Sequence, residues 1–571
     1  MCRSRNSKRP FRSVPFRLGL CALLTTLVVN AFVEGTVEAA MGASVGASGQ
    51  AIAPTQLELG KRLSNNYDHV LFDLRNSRGG NGDVAAGYLT AMSLIHHYRI
   101  SNPVTLLVDK EGAKRLGILM GVQQKLPAQV AIHTIDSIPK DLIVDFYLAL
   151  ASPSGTLKNH PHEDLTFSPD AVLLVQTVLG NTENQASINP YGLLQTGQWK
   201  FNMEPAGIGP NELGIYDDHV AHQLRGHSME ETRNFVLQQI ATMPQDDARS
   251  QLDRILSGER LSGAKIGLVY GITALHTRQQ FTSELRGLVA DKTNSYCLIT
   301  PSNYDLRYVD DPGIKDRVVV LDQSAQLPER AAPNMIYILK TPNLPHPLFV
   351  GLTYYSMKQG VTPIGAGDGF LSAGITLGEP FALTRVTWNA RNILNLKNQL
   401  LNNVATTIQA TEGLPSGNLD SETVDTTGTT ATTAAAVLES VYEELDLSKA
   451  QELQGLRPIF HSLQDHIPSL TEKLVRTALG IRRLQQQRRD FLDASTELRE
   501  MGLTLKEAPK APEKLTSTRF VRSDSHTEEE DELQEMLIDL QESQQFPEAI
   551  KQKILSYYQT PLQQCQSTIG K

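Results

Sequence analysis

The strongest constraint on this chain is a rhythm in which short apolar runs alternate with stretches of helical periodicity. His69–Asp73 is followed by Asp83–Tyr98, Pro103–Val108 by Ala113–Leu126, and Val130–Thr134 comes next. Alternation of this kind predicts βαβ units around a parallel sheet. Ala171–Val178 is apolar almost throughout, as a strand covered on both faces must be. A second alternation begins at Ala264–Gly271 and passes through the helix-like Arg278–Ala290. It continues with the strand candidates Ser295–Thr300, Arg317–Leu321 and Met335–Leu339, the helix-like Pro347–Lys358, and finally Val361–Ile364 with the glycine-rich Gly365–Gly369.

The expected fold class is therefore α/β, with two Rossmann-like domains over 59–250 and 251–405 and a C-terminal α-helical extension. Within the first domain, Asn181–Gly214 is rich in Gly, Pro and Asn and reads as a loop facing a cleft, while the helix-like Trp388–Val404 closes the second. Residues 406–436 lose apolar periodicity to Thr, Ser, Gly and Asp, the composition of a linker. Helical spacing returns over 437–571, through Val437, Leu438, Val441 and Leu445 and later Leu470, Leu474, Leu479, Ile481 and Leu484. This reads as a helical hairpin or short coiled coil, used for homo-oligomerisation or partner contact. Helices that return to brace the first domain would leave the same pattern.

Both ends differ from the body. Residues 1–17 carry Arg3, Arg5, Lys8, Arg9, Arg12 and Arg17 with no acid, followed by the apolar run Leu18–Val33 and small residues around Val37-Glu38-Ala39. That is the layout of a signal peptide over 1–39, ahead of a flexible linker over 40–58. The reading gives a periplasmic or secreted protein if the segment is cleaved, and an inner-membrane anchor with membrane contact through 18–33 if it is kept. Translation from Met41 would remove it altogether. With 53 Lys and Arg against 62 Asp and Glu, and a net charge of -9, the chain has no general attraction for phosphate backbones, so no nucleic-acid partner is expected. Cys2 and Cys21 fall in the signal region, which leaves Cys297 and Cys565, too few for a disulfide framework or a cysteine zinc site.

Two glycine-rich runs sit where strands hand over to helices. The first is Ser77-Arg78-Gly79-Gly80-Asn81-Gly82-Asp83-Val84, and glycines there let backbone approach a ligand at a helix N-terminus. Its Gly80-Asn81-Gly82-Asp83 resembles the turn that opens the N-terminal domain of many GT-B glycosyltransferases, heptosyltransferases included. The resemblance makes Gly80 and Gly82 the acceptor-side turn and Asp83 the general base for an acceptor hydroxyl; an N-cap is the structural role open to the same Asp.

The second is Lys340-Thr341-Pro342-Asn343-Leu344-Pro345-His346-Pro347, then Gly365-Ala366-Gly367-Asp368-Gly369-Phe370-Leu371-Ser372, then Gly378-Glu379-Pro380-Phe381. It resembles the donor half of a GT-B enzyme, where a helix N-terminus holds nucleotide-sugar phosphates. By that resemblance Lys340, Gly367, Asp368, Gly369 and Ser372 surround the donor, and His346 meets a phosphate or the leaving group. Retaining relatives carry a spaced pair of Glu in the donor helix, whereas the acid near Asp368 here is Glu379, so inversion is expected. Bacterial GT-B sialyltransferases offer a second resemblance. Tyr216-Asp217-Asp218-His219 supplies their acidic pair with His219 in place of Gly, His346-Pro347 supplies the His-Pro pair, and Ser372 stands where two serines are expected. That likeness makes Asp218 the alternative base.

No Asp-x-Asp triplet, Walker A sequence or His-Glu-x-x-His occurs. His222 and His227 lie near Asp217-Asp218-His219 without a fixed metal-ligand spacing, and no metal or other cofactor is expected. The expected function is transfer of a sugar from a UDP-, GDP- or CMP-linked donor to a hydroxyl acceptor, inverting and metal-independent. A nucleotide-sugar epimerase of the same fold and a non-catalytic secreted interaction protein on a GT-B scaffold are the alternatives.

Overall fold

The structure is a computed structural model that describes residues 55–75, 81–121, 126–150, 165–176, 193–196, 199–204, 206–209, 212–244, 246–271, 275–301, 311–321, 326–341, 344–385, 390–412 and 431–500. The chain divides into two compact units, Pro54–Leu479 and Met1–Ala53 with Gly480–Lys571. The basic and apolar N-terminal segment, Gly80, Cys565 and the helical pattern beyond residue 500 lie outside the described residues. Among the described residues, no helix is long and apolar enough to cross a membrane.

The first helix, α1 (Gln56–Asn66), begins with a capping box in which the Thr55 hydroxyl accepts from Glu58 N and Glu58 accepts from Thr55 N. It leads into a seven-stranded sheet made of β1 (Val70–Asp73), β2 (Val104–Leu107), β3 (Val130–His133), β4 (Ile143–Leu150), β5 (Thr166–Gln176), β6 (Leu193–Thr196) and β7 (Trp199–Glu204). Their order is β3-β2-β1-β4-β5-β7-β6. All neighbours pair in parallel except β6 with β7. Helix α2 (Asn81–His96) joins β1 to β2, and α3 (Lys110–Met120) joins β2 to β3. Every residue of β1 and β2 is buried, as strands covered on both faces require. The segment read as a cleft-facing loop over 181–214 contains the antiparallel pair β6 and β7. Trp199-Lys200-Phe201-Asn202-Met203-Glu204 alternates apolar and polar residues, a strand pattern that the surrounding Gly and Asn conceal.

Helices α4 (His219–Leu224), α5 (Met229–Ile240) and α6 (Asp247–Leu256) lead to the second sheet. Its strands are β8 (Ala264–Leu268), β9 (Ser295–Pro301), β10 (Val318–Leu321) and β11 (Ile336–Thr341), with α7 (Leu275–Ala290) between β8 and β9. They lie in the order β10-β11-β9-β8, all parallel. Helix α8 (His346–Lys358) follows β11, and α9 (Asp368–Leu377) separates the short parallel pair β12 (Ile364–Gly365) and β13 (Ala382–Leu383). A bridge from Val269 to Ile364 carries the line of β8 on to β12. One core face of this sheet gathers Val236, Ile240, Leu252 and Ile255 from α5 and α6 against Ile266, Cys297, Leu339 and Leu352. The other is filled by Phe281, Leu285 and Leu288 of α7.

The C-terminal helices are α10 (Ala390–Glu412), α11 (Ala431–Tyr442), α12 (Arg457–His466) and α13 (Leu470–Glu500). Leu438, Val441, Leu453, Phe460, Leu463, Leu470, Leu474 and Val475 are buried, so residues 431–479 pack into the body of the molecule. A chain of aromatic rings runs Tyr270, Phe349, Phe370, Phe381, Phe460, with centroids 5.0 to 6.1 Å apart. Glu379 binds Lys358 at 3.1 Å and Arg457 at 2.7 Å, tying α12 to α8.

Candidate functional site

Asp218 and His346 are 128 positions apart in sequence and in direct contact in the fold. Asp218 is the N-cap of α4, where its Oδ1 accepts from Val220 N at 3.0 Å and from Ala221 N at 3.2 Å. His346 opens α8, with Pro347 in the first turn, where a missing N–H costs no helix hydrogen bond. His346 Nε2 lies 2.9 Å from Asp218 Oδ2, and the two side chains are 5% and 0% exposed. Burial works against ionisation of Asp218, yet the charge and hydrogen bond of His346, the nearby His219 and the N–H of Ala221 outweigh it and hold the carboxyl at about 2. With Asp218 ionised, His346 Nε2 is the donor of the pair, and Nδ1 is the ring nitrogen left to exchange a proton.

Polar side chains crowd round this pair. The His219 ring stacks on His96 at 4.8 Å and meets the edge of Tyr88 at 6.5 Å. Burial pulls the His219 imidazole down to about 3 against the pull of Asp218, and burial beside Asp218 pushes the Tyr88 hydroxyl up to about 12. The neighbouring carboxylate, Asp217, accepts from Ser93 Oγ at 3.3 Å and from Ser469 Oγ at 2.5 Å, with His222 Nε2 at 3.8 Å. His222 in turn stands edge-on to His97 at 4.6 Å. For all these histidines, no group of three or more His, Cys, Asp or Glu among the described residues is arranged to hold a metal ion.

The glycine turn lies after β12. Gly367 takes φ +95°, which an L side chain rarely adopts, and caps α9, so the chain reverses sharply into that helix. A Cβ built at Gly367 or at Gly369 meets nothing within 4 Å, so the front of the turn is open. The first N–H groups of a helix have no partner inside it. Asp368 is buried at the helix start, and Ser372 is buried with its Oγ unpartnered. Close packing supports the turn from behind: Gly271, at φ +87°, lets the segment after β8 approach Ala366, and a Cβ there would sit 2.5 Å from that residue's own. Lys340 is half-buried in the last turn-ward residues of β11.

Helix α9 packs against α2, α4 and α8, and α4 against α2 and α8, with the Phe349 and Phe370 rings 6.1 Å apart, so the Asp218–His346 pair and the glycine turn share one neighbourhood. Asp83 and Gly82 lie in the first turn of α2. The side chain of Asp83 lies outside the described residues. Sequence reasoning singled out Asp218, His346 and Ser372 but did not pair the first two, and it missed Ser93, His96, His97 and Ser469. None of those four belongs to a motif; each is identified by a contact made across the fold.

No family model matches the sequence, and no curated protein matches it either. Among solved structures, the chain is similar to the family 9 glycosyl transferase from Veillonella parvula DSM 2008, at 12% identity and a TM-score of 0.25, over 56% of this chain and 81% of that one. It is also similar to Arabidopsis thaliana UGT89C1 complexed with UDP-L-rhamnose, at 10% identity and a TM-score of 0.30, over 73% of this chain and all of that one. Likeness at these scores is too slight to assign a chemistry, which rests on the chain's own residues.

Proposed function

We propose that the protein is a glycosyltransferase-like enzyme that moves a sugar from a nucleotide sugar to a hydroxyl acceptor, with inversion and without a metal. The buried Asp218–His346 pair carries this reading. A carboxylate occupied on both oxygens and kept ionised is a poor base, but it holds an imidazole in one tautomer and stabilises the cation that forms on it. His346 therefore takes the base role that the resemblance implied for Asp83. As the acceptor oxygen bonds to the anomeric carbon, its proton passes to His346, and the bond from that carbon to the donor's phosphate oxygen breaks with its electrons leaving on the nucleotide. Asp218 has no free oxygen to form a covalent sugar intermediate, which supports direct displacement and so inversion.

The open turn at Gly367 and Gly369, with the N-terminus of α9 behind it, suits the departing nucleotide phosphate. The unpartnered Ser372 Oγ supplies a further donor, Lys340 a positive charge, and Asp368 an acceptor for a sugar or ribose hydroxyl. Export through residues 1–39 and association through the C-terminal helices belong to the same proposal.

A thermal-shift panel on the full chain with UDP, GDP, CMP and their common sugar conjugates at about 1 mM tests the reading. A ligand with a dissociation constant of about 10 μM stabilises the native state by roughly 2.7 kcal/mol. One nucleotide base should shift the transition, and Asp368→Ala should reduce the shift. A flat panel on folded protein overturns the proposal.

A further inference from the structure

The loop that delivers Asp218 is held by the start of the C-terminal helix. Ile215 N donates to Pro468 O at 3.2 Å and Leu470 N to Ile215 O at 2.9 Å, a parallel bridge between Ile215 and Ser469. Gly214, at φ +125°, makes the approach possible, since a Cβ there would lie 2.0 Å from Pro468 O. Ser469 is the hinge of this contact: its Oγ caps α13 by accepting from Glu472 N at 3.0 Å and donates to Asp217 Oδ2 at 2.5 Å. Asp217 is buried, and Ser93 on the carboxyl-terminal half of α2 donates to the same oxygen. Asp217 is thus pinned from two sides, and the next residue is Asp218.

We infer that Ser469 is a positioning residue, which fixes the Asp217-Asp218 segment so that Asp218 meets His346, and that the C-terminal helix is thereby a working part of the site. The inference rests on the proton-carrying role read for His346. A buried carboxylate that loses a hydroxyl donor must find another partner or move. Movement of Asp217 shifts the backbone of Asp218, and the 2.9 Å contact to His346 opens.

The test uses the full chain labelled with 15N-histidine, without nucleotide, and follows solvent exchange of the His346 Nε2 proton, assigned by its loss in His346→Gln. Exchange should be slow in the wild type and faster by about tenfold in Ser469→Ala, the factor expected for losing one hydrogen bond to a charged group. Ser469→Thr, which keeps the hydroxyl, should restore slow exchange. Tyr67→Phe is the control, because it removes the 2.6 Å hydrogen bond that Tyr67 Oη donates to Ala478 O on the same helix; it should leave exchange slow. Unchanged exchange in Ser469→Ala, or an equal rise in Tyr67→Phe, overturns the inference. A flat nucleotide panel would defeat the donor reading and leave this result standing, whereas a wild type without a slow Nε2 proton defeats the pair itself.

Discussion

Acid should loosen this fold through His219. His219 is the first residue of α4, its Nδ1 is buried without a partner, and it stacks on His96. Burial, then the neighbouring His346, His96 and His97, outweigh the attraction of Asp218 and lower its pKa from 6.5 to about 3. The folded protein keeps this ring neutral at pH 5, while the unfolded chain protonates it near 6.5. Below 6.5 the unfolded state therefore binds more protons, and stability falls as the pH drops toward 3. Between pH 7 and pH 5 the loss from His219 alone is about 2 kcal/mol. Most carboxylates titrate below that window, and the buried Glu284, whose raised pKa acts in the opposite direction, contributes equally in wild type and His219→Gln. His69, His96 and His97 are lowered for the same first cause, burial, and add in the same direction as His219. Urea unfolding of wild type and His219→Gln at pH 7 and pH 5, followed by circular dichroism, isolates the term. The variant should lose about 2 kcal/mol less than wild type across the window. Equal losses in the two proteins would refute the account of His219 as a buried neutral ring.

Two further predictions concern the second sheet. Gly271→Ala forces a Cβ against Ala366 at a φ of +87° and should destabilise the chain by about 1–3 kcal/mol while weakening nucleotide binding at the turn, both read from melting curves with and without ligand. Glu284 on α7 is fully buried with Oε2 unpartnered, and burial raises its pKa well above the ordinary value. The folded state keeps it protonated where the unfolded chain ionises, so its cost grows as pH rises above 4.5. Glu284→Gln should melt higher than wild type at pH 8, with the gain shrinking toward pH 4.5; a variant that melts lower at pH 8 contradicts this.

The parallel sheets were legible because their strands are buried on both faces, and such strands read as apolar runs: the reading of His69–Asp73 and of Ser295–Thr300 lies within a residue of β1 and β9. Strand β4 went unread although seven of its eight residues are buried and the turn at Pro139-Lys140-Asp141 precedes it, since Asp145 interrupts its apolar run. Helix α11 starts inside the Thr- and Ala-rich stretch read as linker, because its early residues have little apolar periodicity and its buried Leu438 and Val441 come later. In the site, the chemistry of Asp218, His346 and Ser372 was visible residue by residue. Their grouping was not, because a contact between positions 128 apart depends on how α4 and α8 pack. Ser469 carried no signal at all, as a serine before a helix announces a cap and says nothing of the carboxylate it also grips.

The most direct measurement is nucleotide release from the sugar nucleotide that stabilises the protein, compared between wild type and His346→Gln with binding measured in parallel. The wild type should release nucleotide, and the variant should bind the donor while turning it over about 10²–10⁴-fold more slowly, the range for removal of a positioned proton carrier. Equal turnover in the two proteins would contradict the central claim.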